Sequence, residues 1–287
     1  LAELLKRRLE EHPKVEAIPA ELPDSAVAVI SVPDIHVGML AWAQEVGENY
    51  DTKIALSRFN RAVKNLLANI KRLNIPIERV IFPIGNDLLH SDTHENTTTS
   101  GTRVDVDSRW QRAFLAVAES LITGPLSWAS EIAPLHVVIV PGNHDYQRAF
   151  YLGEVIRWYF KGANIEAVVD NSPRLRKYIT WQNVLLGLTH GSWVKVRDLP
   201  MIMAQEVPEE WGRTKWREWL LGHYHRKREM SWNSVEEITG VRVRILPSLA
   251  SADEWHYRNG FVGGQREATA TIYGPNGPIA DLYERPT

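Results

Sequence analysis

Short apolar runs alternate with stretches of helical period along most of this chain. Ala26–Val32 is apolar and β-branched, the length of one buried strand, and it ends in Pro33-Asp34-Ile35-His36. Leu56, Phe59, Val63, Leu66, Leu67 and Ile70 then recur at helical spacing and predict a helix over Ile54–Leu73. Arg79–Ile84 reads as a second strand, Asp107–Ile122 as a helix, Leu135–Val140 as a third strand and Phe150–Lys161 as a helix. Val184–Leu188 and Trp219–Leu221 read as further strands, followed by strand-like Glu237–Leu246 and Ala268–Tyr273 and a turn at Gly274-Pro275-Asn276-Gly277. Strand–helix alternation predicts an α/β layered fold. Ahead of it, Leu1–Glu11 reads as a short amphipathic helix with a Pro-punctuated connection through Pro23. The expected organisation is therefore residues 1–23 as helix and connection, and 24–287 as one domain closed by β-rich C-terminal strands.

The polar residues sharpen the picture because they collect just past the strand ends. Asp34-x-His36, Gly85-Asn86-Asp87, Gly142-Asn143-His144-Asp145, Thr189-His190-Gly191 and Gly222-His223-x-His225 each follow a predicted strand. In α/β sheets that is where ligands bind. Six of the ten histidines lie in or beside these clusters: His36, His90, His144, His190, His223 and His225. In D-x-H or H-x-H, alternate side chains of an extended segment point the same way, so both can reach one ion. The chain has no cysteine, so disulfides and thiolate ligands are excluded and a metal must be held by nitrogen and oxygen. Mn²⁺, Fe and Zn²⁺ suit such a set, and Mg²⁺ is admissible.

Net charge is −2, so no global basic field advertises nucleic acid. An enzyme that neutralises phosphate locally with metal ions does not need one. No apolar run approaches the roughly 20 residues of a membrane span. The charged opening stretch is unlike a secretory signal. With no cysteine, these features lead to the expectation of a cytoplasmic protein that does not engage a membrane.

Taken in order, these five motifs resemble the calcineurin-like metallophosphoesterase superfamily, over about two-thirds of the chain. The resemblance implies a metallophosphoesterase-type β-sandwich flanked by helices. It also implies two divalent metal ions, Mn²⁺ first among the candidates. Asp34, His36 and His225 would hold one ion; Asn143, His190 and His223 would hold the other; Asp87 would bridge them. A hydroxide between the ions would attack phosphorus in line. His144 would contact the phosphoryl oxygen or protonate the leaving group, with Asp145 orienting its imidazole. The superfamily usually reads Gly-Asp where Asn86 here separates Gly85 from Asp87. Asp87 keeps the bridging role because Asn lacks the charge; the role of Asn86 stays open, a secondary contact being one alternative.

Asp87-Leu88-Leu89-His90-Ser91 and Asp34-Ile35-His36-Val37-Gly38 further resemble elements of SbcD-type DNA repair exonucleases. That implies a DNA substrate, a catalytic place for His90 beside the scissile phosphate, a possible homodimer and an ATPase partner, although no partner-binding tail is evident after His225. Trp211, Arg213, Lys215, Trp216, Arg217 and Trp219 before the last motif, Arg226, Lys227 and Arg228 after it, and Trp193 after His190 offer cations and ring faces to single- or double-stranded DNA. Against this stand plainer readings: the basic run as a solvated face, the tryptophans as packing, His90 as a helix-cap or supporting residue, His94 as a loop residue, and His12, His136 and His256 as structural. The Thr-rich segment Asn96–Gly101 has no assignment from sequence. The expected function is metal-dependent phosphodiester hydrolysis, by a DNA nuclease. A small-molecule phosphodiesterase or phosphomonoesterase is the alternative enzyme, and a catalytically silent binding scaffold is the alternative outside enzymes.

Overall fold

The computed structural model describes residues 23–163, 165–224, 235–260 and 265–286. The expected helix Leu1–Glu11, His12, His225 and the basic run Arg226–Arg228 lie outside the described residues. In chain order the strands are β1 (Ala26–Ser31), β2 (Ile77–Gly85), β3 (Leu135–Val140), β4 (Ala167–Asp170), β5 (Lys177–Trp181), β6 (Val184–Thr189), β7 (Trp216–Leu221), β8 (Val235–Ile238), β9 (Val241–Ile245), β10 (Ala268–Gly274) and β11 (Gly277–Glu284). The helices are α1 (Ala43–Val46), α2 (Thr52–Arg72), α3 (Trp110–Thr123), α4 (Pro125–Ser130), α5 (Tyr146–Ala163), α6 (Leu199–Glu206), α7 (Pro208–Arg213) and α8 (Glu254–Arg258).

Two sheets result. One runs β11-β10-β1-β2-β3-β4, the other β5-β6-β7-β9-β8. Strands β1 to β4 are parallel, with the β10–β11 hairpin antiparallel beside β1. In the second sheet β6, β7 and β9 are parallel, flanked by antiparallel β5 and β8. Val27, Val29, Ile81, Val138 and Val140 of the first sheet meet Val184, Leu186, Leu188 and Leu220 of the second. On the other face, Ala28, Ile30, Val80, Phe82, Val137 and Ile139 pack with Phe59, Val63, Leu66, Leu121, Leu152 and Ile156 of the helices. Leu185, Trp219, Leu221 and Val243 are covered by Leu199 and Met203 of α6. The fold is thus an α/β sandwich of two sheets flanked by helices, as the resemblance implies; the strand–helix alternation by itself predicts only α/β layers. A strand covered on both faces has no reason to alternate, which is why Ala26–Ser31 is apolar nearly throughout.

Several boundaries differ from the sequence-based expectation. α3 begins at Trp110, not Asp107, because the Asp107 carboxylate is committed elsewhere. It accepts from Thr52 N at 2.6 Å and Thr52 Oγ1 at 3.0 Å, so it serves the start of α2. α5 begins at Tyr146, four residues before the expected Phe150, because Asp92 accepts from Gln147 N at 2.9 Å and so satisfies the start of the helix. Glu237–Leu246 is not one strand but the β8–β9 hairpin, turned at Thr239 and Gly240 with φ of 49° and 76°. Positive φ at both turn residues is the geometry that matches strand twist.

Chain direction decides where chemistry can happen. β1, β2 and β3 end on one rim of the first sheet, and β6 and β7 deliver His190 and His223 to the same place. His223 N donates to Asp34 Oδ2 at 2.9 Å, joining the rims of the two sheets.

Candidate metal centre

Each strand-end loop must turn sharply to aim its polar side chain inward. Asp34, His36, Asn86, Asp87 and His223 all have positive φ, between 51° and 69°. Residues with a side chain seldom adopt that region, and where they do it is often at functional sites. Two glycines supply the space: a Cβ on Gly142 would stand 1.9 Å from Asp87 Oδ1, and one on Gly222 would stand 2.6 Å from Asn86 Oδ1. Any larger residue would displace the carboxylate or the amide.

The donor atoms of Asp34, His36 and Asp87 lie within 4.8 Å of one another, and so do those of Asp87, His190 and His223. Asp87 belongs to both groups, which is the position a bridging ligand needs. Asn143 joins the second group through Oδ1, 2.9 Å from His190 Nε2. Asp87 Oδ2 lies 3.0 Å from the same nitrogen, yet it is buried without a hydrogen bond of good geometry. Two donors held by one cation at about 2.1 Å and a right angle stand about 3 Å apart. The donor set and the orphaned carboxylate oxygen therefore fit divalent cations, held by Asp34, His36 and Asp87 on one side and by Asp87, Asn143, His190 and His223 on the other.

His90 and His144 complete an overlapping group with His36, again within 4.8 Å. The Nδ1 atoms of His90 and His36 are 3.3 Å apart. The His144 ring stands edge-on to His36 at 4.7 Å between centroids. His144 Nδ1 donates to the His90 carbonyl at 2.7 Å, which leaves Nε2 as the working nitrogen. Asp145 does not hold that imidazole, contrary to what the resemblance implies. Its carboxylate accepts from Gly142 N and Leu88 N at 2.9 Å, and from Asp87 N and Leu89 N at 3.3 Å. It is a buried staple between two loops, and the orienting contact for His144 is the backbone of His90.

Asn86 proves to be a supporting contact. Its Oδ1 accepts from His190 Nδ1 at 2.7 Å, which turns Nε2 toward Asp87 and Asn143. Such partners fix the tautomer and orientation of a metal-binding imidazole. Asn86→Ala is expected to weaken divalent-metal affinity by about 10- to 100-fold, read by competition with a chromophoric chelator. An unchanged affinity would show that His190 is not oriented this way.

The Thr-rich segment has a physical assignment too. Thr99 donates to the Asn143 carbonyl from its backbone N at 2.8 Å and from Oγ1 at 2.9 Å. The same hydroxyl lies 3.0 Å from Asp92 Oδ2. Buried Arg148 donates to Ser91 Oγ at 2.9 Å and to the Thr93 carbonyl at 2.6 Å, and lies 4.6 Å over the Trp110 ring. This loop clamps the segment carrying Asn143 and His144. Sequence reading missed Asp92, Thr99 and Arg148 because the contacts cross about fifty residues.

The basic and aromatic stretch before the last motif does not flank the site. Trp216 opens β7 opposite Val184, and the site lies beyond Leu221 at the far end, roughly 16 Å away at strand rise. Trp219 is buried in the core, and Arg217 stacks on Trp211 at 4.2 Å while donating to the carbonyls of Trp211 and Thr214. These side chains serve packing.

Burial and mutual charge set the protonation of the cluster when no cation is bound. Burial pushes Asp34 up to about 8, and burial with the neighbouring Asp87 charge pushes Asp145 up to about 7. Burial would also raise Asp87, but His190 and His144 outweigh it and hold that carboxylate well below its ordinary range. Burial disfavours the charged His190, yet Asp87 beside it raises the imidazole to about 9. Burial and the His190 charge push His223 down to about 4.

A cation must therefore displace protons. Groups with raised pKa keep their protons below that value, so the competition grows as pH falls. At pH 7 loading should release protons, from His190 and Asp34 among the ligands, and apparent affinity should rise as pH climbs through about 8 and 9. Proton release on metal addition in weak buffer measures this directly. Affinity independent of pH across that window would refute it.

No family model matches the chain, and no curated relative matches it. Among solved structures, it is similar to a single mutant of Vps29 from Entamoeba histolytica, at 12% identity and a TM-score of 0.35. It is also similar to a double mutant of the same protein, at 11% identity and a TM-score of 0.34. Each match covers 91% of this chain and 100% of the other. Superposition at that level carries no argument about chemistry.

Proposed function

We propose that this chain hydrolyses phosphoesters at a two-metal centre, and that its substrate is a phosphodiester of DNA. One observation carries the proposal: Asp87 is shared by two groups of ligand atoms, buried except for the half-buried His223, that four strand ends bring together, and Asn143 adds a fifth. His225, by its place in the last motif, is assigned to the Asp34 and His36 side. Two divalent ions at such a centre would stabilise the attacking and leaving oxygens of an in-line displacement. The chain's own residues do the rest. Asn86 orients His190, Asp145 staples the Asp87 loop to the Gly142 loop, and His144, half-buried and locked by the His90 carbonyl, offers Nε2 to the leaving oxygen. His90 supports His144 through its backbone and borders His36 through its ring.

DNA is favoured over a small ester by the resemblance of Asp87–Ser91 and Asp34–Gly38 to SbcD-type nucleases. The test is cleavage of end-labelled single- and double-stranded DNA with Mn²⁺, with His144→Ala beside the wild type. Wild-type cleavage reduced about 10²- to 10⁴-fold by the substitution is the expected result. Intact oligonucleotides alongside hydrolysed small esters would make the chain a small-molecule phosphoesterase. Bound metal with neither substrate cleaved would make it a binding scaffold.

A further inference from the structure

An aromatic surface adjoins the metal centre, and neither the core nor the proposed hydrolysis uses it. Trp193 is 42% exposed, Tyr146 38%, Phe150 41% and Tyr151 55%. Tyr146 follows His144 by two residues and Trp193 follows His190 by three, so both leave loops that carry site residues. Their rings meet edge to face at 6.0 Å, and the Trp193 centroid lies 6.5 Å from that of His190. Beyond Tyr146 a groove of about 310 Å³ opens, lined by Pro141, Tyr146, Gln147, Phe150, Tyr151 and Asn171 among others. Pro141 directly precedes Gly142-Asn143-His144, so the groove starts where the metal loop begins.

We infer that this surface seats an unpaired nucleobase next to the scissile phosphate, and that the chain accordingly selects single-stranded or frayed nucleic acid. The inference rests on the phosphodiesterase reading above and names its substrate more narrowly. Exposed rings grouped beside a functional site mark a binding surface more often than stray packing. The groove is large enough for a small planar ligand, and its walls are apolar with a few amides at the edge. None of its lining side chains is charged. It therefore suits a neutral flat ring and gives a second phosphate nothing to bind. Asn171 Nδ2 is already committed, to the Phe150 carbonyl at 3.0 Å and Glu154 Oε1 at 2.8 Å, which fixes one wall. Gln147 is left to supply the polar edge. A base inside a duplex has its faces covered by neighbours, whereas an unpaired base can stack on a protein ring whatever its sequence.

The test is equilibrium binding, by fluorescence anisotropy, of a labelled short oligothymidylate and of a strand of equal length built from abasic residues. Wild-type protein should bind the oligothymidylate about 5- to 100-fold more tightly. Trp193→Ala and Tyr146→Ala should each shrink that gap, and Tyr146→Phe should preserve it. Equal wild-type affinity for the two strands, or a gap that survives both alanine variants, would overturn the inference. Turnover of a small aryl phosphodiester with Mn²⁺, followed in parallel, reports on the hydrolase reading separately. Base-dependent binding without turnover would sink the hydrolase and keep the seat; turnover without base-dependent binding would do the opposite.

Discussion

On the two-metal reading proposed above, Asp87→Asn should abolish divalent-metal binding and lower phosphoester hydrolysis by about 10³-fold or more, with the fold intact. The substitution is nearly isosteric. Asp87 Oδ1 accepts from His144 N at 2.8 Å, and an amide oxygen can keep that bond. What disappears is the charge on Oδ2, which lies 3.0 Å from His190 Nε2 and has no other use in the chain. Two cations cannot share a neutral amide as they share a carboxylate, and Lewis-acid stabilisation at such sites is worth several kcal/mol, or about three decades in rate. Metal content by mass spectrometry, thermal melting and turnover of a small phosphoester should be measured on one preparation. A variant that retains two ions per chain and most of its activity would remove Asp87 from the centre of this account.

Glu218→Ala should cost several kcal/mol of stability at a distance from the candidate metal site. Glu218 is fully buried on β7 and accepts from Arg244 Nε at 2.9 Å, Tyr273 Oη at 3.0 Å and Trp216 Nε1 at 3.1 Å. Arg242 Nε lies 3.4 Å away. Arg244 continues to Thr271 Oγ1 at 3.0 Å and Asp281 Oδ1 at 2.8 Å. One carboxylate thus ties β7 and β9 of the second sheet to β10 and β11 of the first. Removing one partner of a buried ionic network leaves the others desolvated and unpaired, a loss of about 3–5 kcal/mol. For a chain of this size the melting temperature should fall on the order of 10 °C. Glu218→Gln, which keeps the acceptor oxygen, should lose less. A melting temperature within about 2 °C of wild type for the alanine variant would show that the Asp281 arm alone carries the network.

Much of this arrangement is legible in the amino-acid sequence, and the exceptions share a cause. Leu135–Val140 was readable to the residue because a central strand covered on both faces is apolar at nearly every position, here at all but the half-buried His136. β4 and β5 were not: Ala167–Asp170 is a short, mostly half-exposed edge strand, and Lys177–Trp181 hides a lysine that pairs with Asp170 at 3.1 Å. Local pattern cannot reveal a buried lysine whose partner is seven residues away across a turn. The site shows the same division. Asp34, His36, Asp87, Asn143, His190 and His223 could be named because each sits in a short motif at a strand end. Their supports could not. The resemblance makes Asp145 the partner of His144, yet its oxygens serve amides near Asp87, more than fifty residues earlier. Thr99 reaches the carbonyl of Asn143 across a similar separation. Residues that hold ligands in place answer to tertiary distance, and short motifs do not record it.

Anomalous difference maps from crystals grown with Mn²⁺ would locate the ions themselves. Two peaks are expected about 3.5–4 Å apart with the Asp87 carboxylate between them, one bordered by Asp34 and His36 and the other by Asn143, His190 and His223. A single peak, or none within reach of Asp87, would contradict the two-metal reading.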